Sequence, residues 1–291
     1  MFFLFALLAT LAYALNNTLM TSYYRKVDLL LAVTIRGIGM GITMLPLLFI
    51  AGKNEIIAVM VFLPLILLAS VCALIGNICI ANAFKYLPIG IASALSMSFS
   101  AVVTALLSWQ LNGEALTRSE IFWFSMILIG VFGIGFSKIN STSGQTYHVG
   151  KGVLSSIGFS LLLGVCYIIT ADIAKKVNPL VVGYFWETSV GLIGLLILIP
   201  RYYSNRNLLK GLTKKDYGLA ILYSIPGSIG TACYSLAVAN GPVAIVTAVL
   251  GTMMVANSIF AWMIYREKLN YIQWILIVYV ACMIVGLKFS G

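Results

Sequence analysis

Ten long apolar runs, separated by short polar connections, constrain this chain more than any other feature of its sequence. A helix needs about 20 mostly apolar residues to cross the hydrocarbon core of a bilayer. Runs of that length cover residues 2–22, 30–51, 61–84, 87–110, 120–138, 152–173, 179–200, 217–239, 242–264 and 271–289. We therefore predict an all-α, polytopic membrane protein with ten transmembrane helices.

The composition excludes a soluble globular protein. Of 291 residues, 61% are hydrophobic and only 9% are charged, whereas a soluble domain carries roughly 25% charged residues. A formal net charge of +10 would suggest a nucleic-acid partner in a soluble protein. Here the cations lie in short loops between apolar runs, where lipid headgroups are the expected partners. We expect an integral protein of the plasma membrane (the bacterial inner membrane), surrounded by lipid and binding no nucleic acid.

The residues that metal and catalytic sites require are sparse. The one histidine, His148, lies in a polar loop, and the five cysteines are scattered through the apolar runs, so we predict no metal site and no cofactor. A membrane-embedded enzyme would need clustered carboxylates, histidines or a serine–base pair on facing helices. We therefore predict no catalytic residues and no enzymatic activity.

The two halves of the chain resemble each other. The segment 76–92 matches a segment that begins at Gly230, so that Pro88 aligns with Pro242 and, further on, Glu114 with Glu267. The dibasic turn at 25–26 is likewise echoed at 175–176. We predict two five-helix repeats, residues 1–140 and 150–291. Because five is odd, the second repeat enters the membrane in the opposite sense, and inverted repeats place a substrate site near the midplane between them.

Several short motifs, in this order and spacing, resemble the drug/metabolite transporter superfamily, in its EamA-type ten-helix branch. They are Arg36 in LAVTIRGIG, the Leu-Pro-Ile-Gly turn after span three, and Asn112-Gly113-Glu114-Ala115-Leu116, echoed by Arg266-Glu267-Lys268-Leu269. The resemblance implies secondary transport of small metabolites, among them amino acids, nucleosides, nucleotide sugars, cofactors and organic cations. It also implies a central cavity lined mainly by spans one to four and six to nine, and cytoplasmic termini.

The orientation in the membrane stays open at this point. With both termini inside, most Lys and Arg residues fall in loops on the opposite side. The positive-inside rule would then place both termini outside, contrary to what the resemblance implies.

Two charges inside predicted spans are the leading functional candidates, because a charge at the centre of a membrane helix costs about 2.5–3.5 kcal/mol on insertion scales. Arg36 in span two and Glu187 in span seven occupy near-equivalent positions of the two repeats. We predict that both face the cavity and bind the charged ends of a zwitterionic or ionic substrate, with proton exchange at Glu187 as a further option. The alternative for Arg36 is snorkelling to the interface.

Aromatic residues with polar tips and deep amides complete the predicted substrate-binding set. They are Tyr13, Asn17, Asn77, Asn82, Tyr167, Trp186 and Tyr234, and packing between helices is the alternative for each. Asn257 is expected to bind a neighbouring helix. Glu114 and Glu267 are expected to cap or pair at the membrane surface rather than to bind substrate. Pro226 predicts a hinge or a static bend in span eight.

The predicted function is a secondary active transporter that moves a small polar metabolite by alternating access, with an amino acid or related zwitterion favoured. The driving partner would be a proton or a counter-substrate. The alternatives are an organic-cation or drug exporter, or a nucleotide- or nucleotide-sugar-type exchanger. A channel or a non-transporting scaffold is a further class. Ten helices can enclose a cavity alone, so a monomer is expected.

Overall fold

A computed structural model describes residues 1–112, 117–136, 148–204, 213–267 and 269–290. Over these residues the chain is helical and contains no β-strand. Its helices are α1 (Phe2–Tyr24), α2 (Leu29–Ile50), α3 (Lys53–Met60), α4 (Leu63–Tyr86), α5 (Ile89–Asn112), α6 (Arg118–Phe136), α7 (Val149–Ala174), α8 (Pro179–Ser204), α9 (Lys214–Asn240), α10 (Val243–Gly251), α11 (Met253–Tyr265) and α12 (Tyr271–Ser290).

Eight helical segments of the described chain are long and apolar enough to cross a membrane, if α10 and α11 are taken together. They correspond to predicted spans one to four and six to nine. Large apolar side chains stay exposed along them; Leu68, Leu196 and Ile229 are 52%, 68% and 52% exposed. This protein is therefore an integral membrane protein. The fifth and tenth predicted spans correspond to α6 and α12, which are not among these eight segments, so the count of ten stays a prediction.

Two local features differ from the sequence prediction. The connection after span two contains the short helix α3, whose start is stabilised because Glu55 accepts the backbone N–H of Gly52 at 2.9 Å. Predicted span nine is divided at Thr252 into α10 and α11. Gly251 is a weak helix former, and the Thr252 hydroxyl bonds the carbonyl of Val249 at 2.7 Å, which favours a bend there. Pro226 lies inside the continuous helix α9.

The two halves pack against each other through pairs of helices, one helix from each half. Helix α1 packs on α9, and its counterpart α7 packs on α4; α2 packs on α8, and α6 packs on α12. At the α2–α8 crossing, small residues let the backbones touch: a Cβ added to Gly37 would lie 2.7 Å from the Cα of Gly191. Such close approach through glycine is typical of packed membrane helices.

Equivalent helices of the two halves run antiparallel where they touch. Along α2, Thr34 lies beside Gly194, Gly37 beside Gly191 and Met44 beside Gly183, so positions rise on one helix as they fall on the other. Helices α6 and α12 follow the same rule, with Gly130 beside Val280 and Gly133 beside Leu276. The α2–α8 crossing places the middle of helix α2 against the middle of helix α8.

Candidate functional site

A polar cavity lies where the two halves meet. It has a volume of about 40 Å³ and takes its walls from α1, α2, α4, α5, α7, α8 and α11. Its lining residues are Tyr13, Asn17, Arg36, Asn77, Ile80, Phe84, Ser93, Met97, Phe159, Leu163, Tyr167, Trp186, Glu187 and Met253. The two glycines Gly227 and Gly230 of α9 bring α1 close enough to place its polar face here, because they lie directly against Asn16 and Tyr13.

Arg36 and Glu187 face each other inside this cavity. The Nη1 atom of Arg36 lies 3.9 Å from Oε2 of Glu187, and the two residues are 5% and 3% exposed. The guanidinium therefore does not snorkel to the interface. At this separation the charges attract each other, but no hydrogen bond joins these two atoms.

Each of the two charged side chains is positioned by a hydrogen bond to a different neighbouring side chain. Arg36 Nε donates to Oδ1 of Asn16 at 2.8 Å, and the Asn16 amide in turn donates to the Tyr223 carbonyl at 2.7 Å. Glu187 Oε1 accepts from the Thr231 hydroxyl at 3.1 Å. These contacts fix the two side chains while leaving the atoms that face each other available.

Three buried polar atoms around the cavity have no hydrogen-bond partner among the described residues. They are Nη1 of Arg36, Oε2 of Glu187 and Nε1 of Trp186. An unsatisfied buried donor or acceptor costs roughly 1–3 kcal/mol, and more when it is charged. The cavity thus presents two donors and one acceptor that a polar ligand can satisfy.

An aromatic cluster forms one side of the cavity. The ring of Tyr167 meets that of Trp186 edge to face, with centroids 6.4 Å apart, and lies 4.9 Å from that of Tyr234. The backbone carbonyl of Trp186 also accepts a hydrogen bond from the Ser70 hydroxyl at 3.1 Å, which helps to position this residue. Tyr234 is fully buried behind the wall, where its hydroxyl contacts the Tyr167 carbonyl at 3.4 Å.

Most of the predicted substrate-binding residues lie together in this lining: Tyr13, Asn17, Arg36, Asn77, Tyr167, Trp186 and Glu187. Tyr234 supports the wall from behind. Asn82 lies elsewhere, donates to Ser155 at 2.8 Å and lines a different groove. That the cavity residues bind a substrate stays a prediction. Asn257 contacts neighbouring helices through Thr18 and Ser93, as expected for a packing residue.

Sequence reasoning missed the residues that support the charges. Asn16 stands next to the predicted Asn17, and its position in an apolar run was the available signal. Thr231 carries no charge and gave no signal beyond its place beside Gly230. Met97 and Met253 could not be distinguished from other apolar residues of spans four and nine.

A buried ion pair lies at one end of the cavity. Arg25, after α1, and Glu267, after α11, are paired at 2.5 Å with side chains 13% and 5% exposed. Glu267 also accepts the Ile89 N–H at 2.9 Å, and Arg25 donates to the carbonyl of Phe84, a cavity residue, at 3.2 Å. We call these four residues the end cluster; they join α1, α4, α5 and the end of α11. Pairing at Glu267 follows the prediction, and Glu114 lies outside the described residues.

No group of His, Cys, Asp or Glu suited to holding a metal ion occurs in the described part of the chain. Taken together, the fold and the site define a polytopic α-helical membrane protein with an internal, charged cavity between its halves.

The EamA-like transporter family model matches residues 1–136 and 150–288. The chain therefore belongs to this family, as its motifs had suggested, and is a transporter of the drug/metabolite type. A solved crystal structure, described only as that of a protein, superposes with a TM-score of 0.67 at 15% sequence identity and covers 98% of this chain and 96% of the other. At that identity the likeness concerns the fold alone. No curated protein matches the sequence.

Proposed function

We propose that this transporter is a secondary carrier for an amino acid or a related zwitterion, which it binds in the cavity and moves by alternating access. The observation that carries the proposal is the pairing of Arg36 with Glu187 at 3.9 Å, each with an unsatisfied atom turned to the other. A zwitterion has one group of each sign and can replace both halves of that pair.

In the substrate-bound state, Nη1 of Arg36 and the Trp186 N–H donate to the substrate carboxylate, and Oε2 of Glu187 accepts from its ammonium. When the site is empty, the two side chains neutralise each other, which limits the cost of keeping two charges in a low-dielectric site. Asn16 and Thr231 hold their partners in both states. Hydrogen bonds to charged groups contribute roughly 1.5–3 kcal/mol each, enough to select for both ends of the substrate.

One part of the wall favours a substrate whose side chain is largely apolar. Phe159 and Leu163 of α7 line the cavity together with Met97 and Met253. Thioether side chains adapt to irregular and planar shapes and contact aromatic rings favourably. This part of the lining offers few partners to a strongly polar side chain.

We further propose that the halves form an inverted repeat. Equivalent helices make antiparallel contacts, α2 with α8 and α6 with α12, and these contacts support this arrangement. The reciprocal packing of α1 on α9 and of its counterpart α7 on α4 supports it as well. Inverted repeats allow one half to rock against the other around a fixed midplane site.

Alternating access requires a closed end that can open. The end cluster closes one end of the cavity by tying α1 of the first half to the segment after α11 of the second half. Its breakage would expose Phe84 and the cavity on that side, while the opposite end closes.

The test is uptake and counter-flow of labelled amino acids in proteoliposomes that contain wild type, Arg36→Gln or Glu187→Gln. Both variants should lose most transport, and Lys176→Gln, at an exposed cation, should retain it. Wild-type rates in both cavity variants would overturn the proposal.

The aromatic cluster beside Glu187 favours organic-cation export as the second candidate, since rings and a carboxylate together bind cations. Such a carrier would depend on Glu187 but tolerate Arg36→Gln. The same pair of variants therefore separates the two substrates.

A further inference from the structure

A second groove lies on the outer side of the bundle, between the C-terminal ends of α4 and α8 and the start of α2. It has a volume of about 520 Å³ and differs from the cavity in being amphipathic along its length. Two cations lie at the end nearest the helix termini, and aliphatic side chains line the part deeper in the membrane. The residues used below are Lys85, Arg201, Leu74, Ile75, Ile78 and Ile197.

Both cations have unused hydrogen-bonding capacity. Lys85 is exposed in the last turn of α4 and has no ion pair with the described part of the chain. Arg201 lies 3.9 Å from Asp28, Nη1 to Oδ1, which is too far for a hydrogen bond. Asp28 Oδ1 instead accepts the N–H groups of Leu30 and Leu31 at 3.0 and 3.2 Å, at the start of α2. The groove contains two cations and one carboxylate, Asp28, and therefore keeps one net positive charge.

The apolar part of the groove has the length of one leaflet. From Ile75 to Lys85 the helix rises by roughly 15 Å at 1.5 Å per residue, which is half of the ~30 Å hydrocarbon core. Ile75 and Ile197 are 46% and 45% exposed on its walls. Since this surface lies in hydrocarbon, water cannot fill it favourably, whereas an acyl chain can.

We propose that this groove binds one anionic phospholipid, with its phosphate between Lys85 and Arg201 and an acyl chain along Ile75, Ile78 and Ile197. Basic pockets between membrane helices recognise anionic headgroups in this way. Asn82, which lines the same groove, adds an amide at headgroup depth. The adjacent groove between α2, α8 and α9 provides a contrast: its lining includes Ile35, Ile199 and Tyr203 but no charged residue, so it offers nothing that distinguishes one headgroup from another.

The experiment is native mass spectrometry of the purified protein with phosphatidylglycerol or phosphatidylcholine of identical acyl chains. The wild type should retain the anionic lipid about thirty-fold better, because the two basic residues near the surface contribute roughly 1 kcal/mol each. Lys85→Gln with Arg201→Gln should reduce this preference to within about two-fold. The matched control, Lys175→Gln with Lys176→Gln at two exposed cations after α7, should keep it.

Two further variants keep the test decisive if the double Gln variant does not fold. Lys85→Arg with Arg201→Lys should keep the preference, and Ile78→Trp, which fills the apolar part, should abolish tight retention with both cations intact. Retained preference in the double Gln variant would overturn the proposal. Full competition by inorganic phosphate would also overturn it, because the groove would then bind a free anion rather than a lipid.

Discussion

Arg36 and Glu187 satisfy two requirements that conflict inside a membrane: each must be charged to bind a charged group, and each is expensive to bury alone. Their separation of 3.9 Å satisfies both requirements. The attraction between the charges offsets part of the desolvation cost, and the facing atoms remain free to form hydrogen bonds with a ligand. The supports at Asn16 and Thr231 keep the two side chains from collapsing into a tighter pair.

The first prediction concerns the stability of this pair. Arg36→Gln or Glu187→Gln leaves one buried charge unpaired, so each should destabilise the protein by about 3–5 kcal/mol. The double variant should lose less than the sum, because no lone charge remains. Thermal unfolding in detergent, analysed as a double-mutant cycle, measures the difference. Strictly additive losses would mean that the two charges do not interact.

At the residue scale, sequence alone named half of the residues that line the cavity, because charges and aromatic hydroxyls in apolar runs are conspicuous. The structure places Asn82 outside the cavity for a geometric reason. Asn77 and Asn82 are five positions apart, a rotation of roughly 140° at 3.6 residues per turn, so they cannot share a face. Tyr13 and Asn17, four apart, do share one. Choosing between such pairs requires the packing of α4 against α7, which no local pattern contains.

At the element scale, the α2–α8 crossing positions both charges at once, because Arg36 and Glu187 lie on the two helices that touch through Gly37 and Gly191. Sequence predicted these helices but not the break of span nine at Thr252. The run from Val243 to Tyr265 is uniformly apolar, and a bend that depends on one hydroxyl and one glycine leaves hydropathy unchanged.

The second prediction tests the close approach at this crossing. Gly37→Ala places a Cβ 2.7 Å from the Gly191 backbone, and overpacking of this kind costs about 1–3 kcal/mol. Gly218→Ala is the matched control within a helix, since a Cβ there meets nothing within 4 Å. Thermal unfolding should show a loss for the first variant and no loss for the second. Equal stability of the two variants would contradict the crossing.

The third prediction tests the antiparallel direction of α2 and α8. Cysteines at Thr34 and Gly194, or at Gly41 and Thr188, would have Cβ atoms about 3.3 and 3.5 Å apart, close to disulfide geometry. In a background without native cysteines, both pairs should cross-link under mild oxidation. The crossed pair Thr34 with Thr188 should not. Efficient cross-linking of the crossed pair would exclude the antiparallel register and, with it, the inverted repeat.

At the scale of the whole molecule, the Arg36–Glu187 pair and the Arg25–Glu267 pair have different roles. The cavity pair is loose and internal, whereas the end cluster is tight and joins the helix ends of both halves. Sequence located Glu267 as a pairing residue, but only the three-dimensional structure identifies Arg25 as its partner, 242 positions away. Contacts of that separation depend on the complete topology rather than on any motif.

The fourth prediction concerns closure by the end cluster. Glu267→Gln removes the charge that holds Arg25 and should shift the population towards the state open at that end. A cysteine at Met97, a cavity residue, should then react several-fold faster with a membrane-impermeant thiol reagent in a background without native cysteines. Glu55→Gln, at an exposed residue of α3, is the control. Unchanged labelling would mean that the cluster is structural rather than a gate.

The central claim is that the cavity recognises both charges of one substrate, and equilibrium binding measures this most directly. The ligands are the amino acid that proteoliposome uptake identifies, its methyl ester and its N-acetyl derivative, each titrated against the purified wild type. We predict that either modification weakens binding by at least about ten-fold, since each removes a charge-assisted hydrogen bond. Equal affinity for the methyl ester and the free amino acid would contradict the claim and would indicate a site for cations alone.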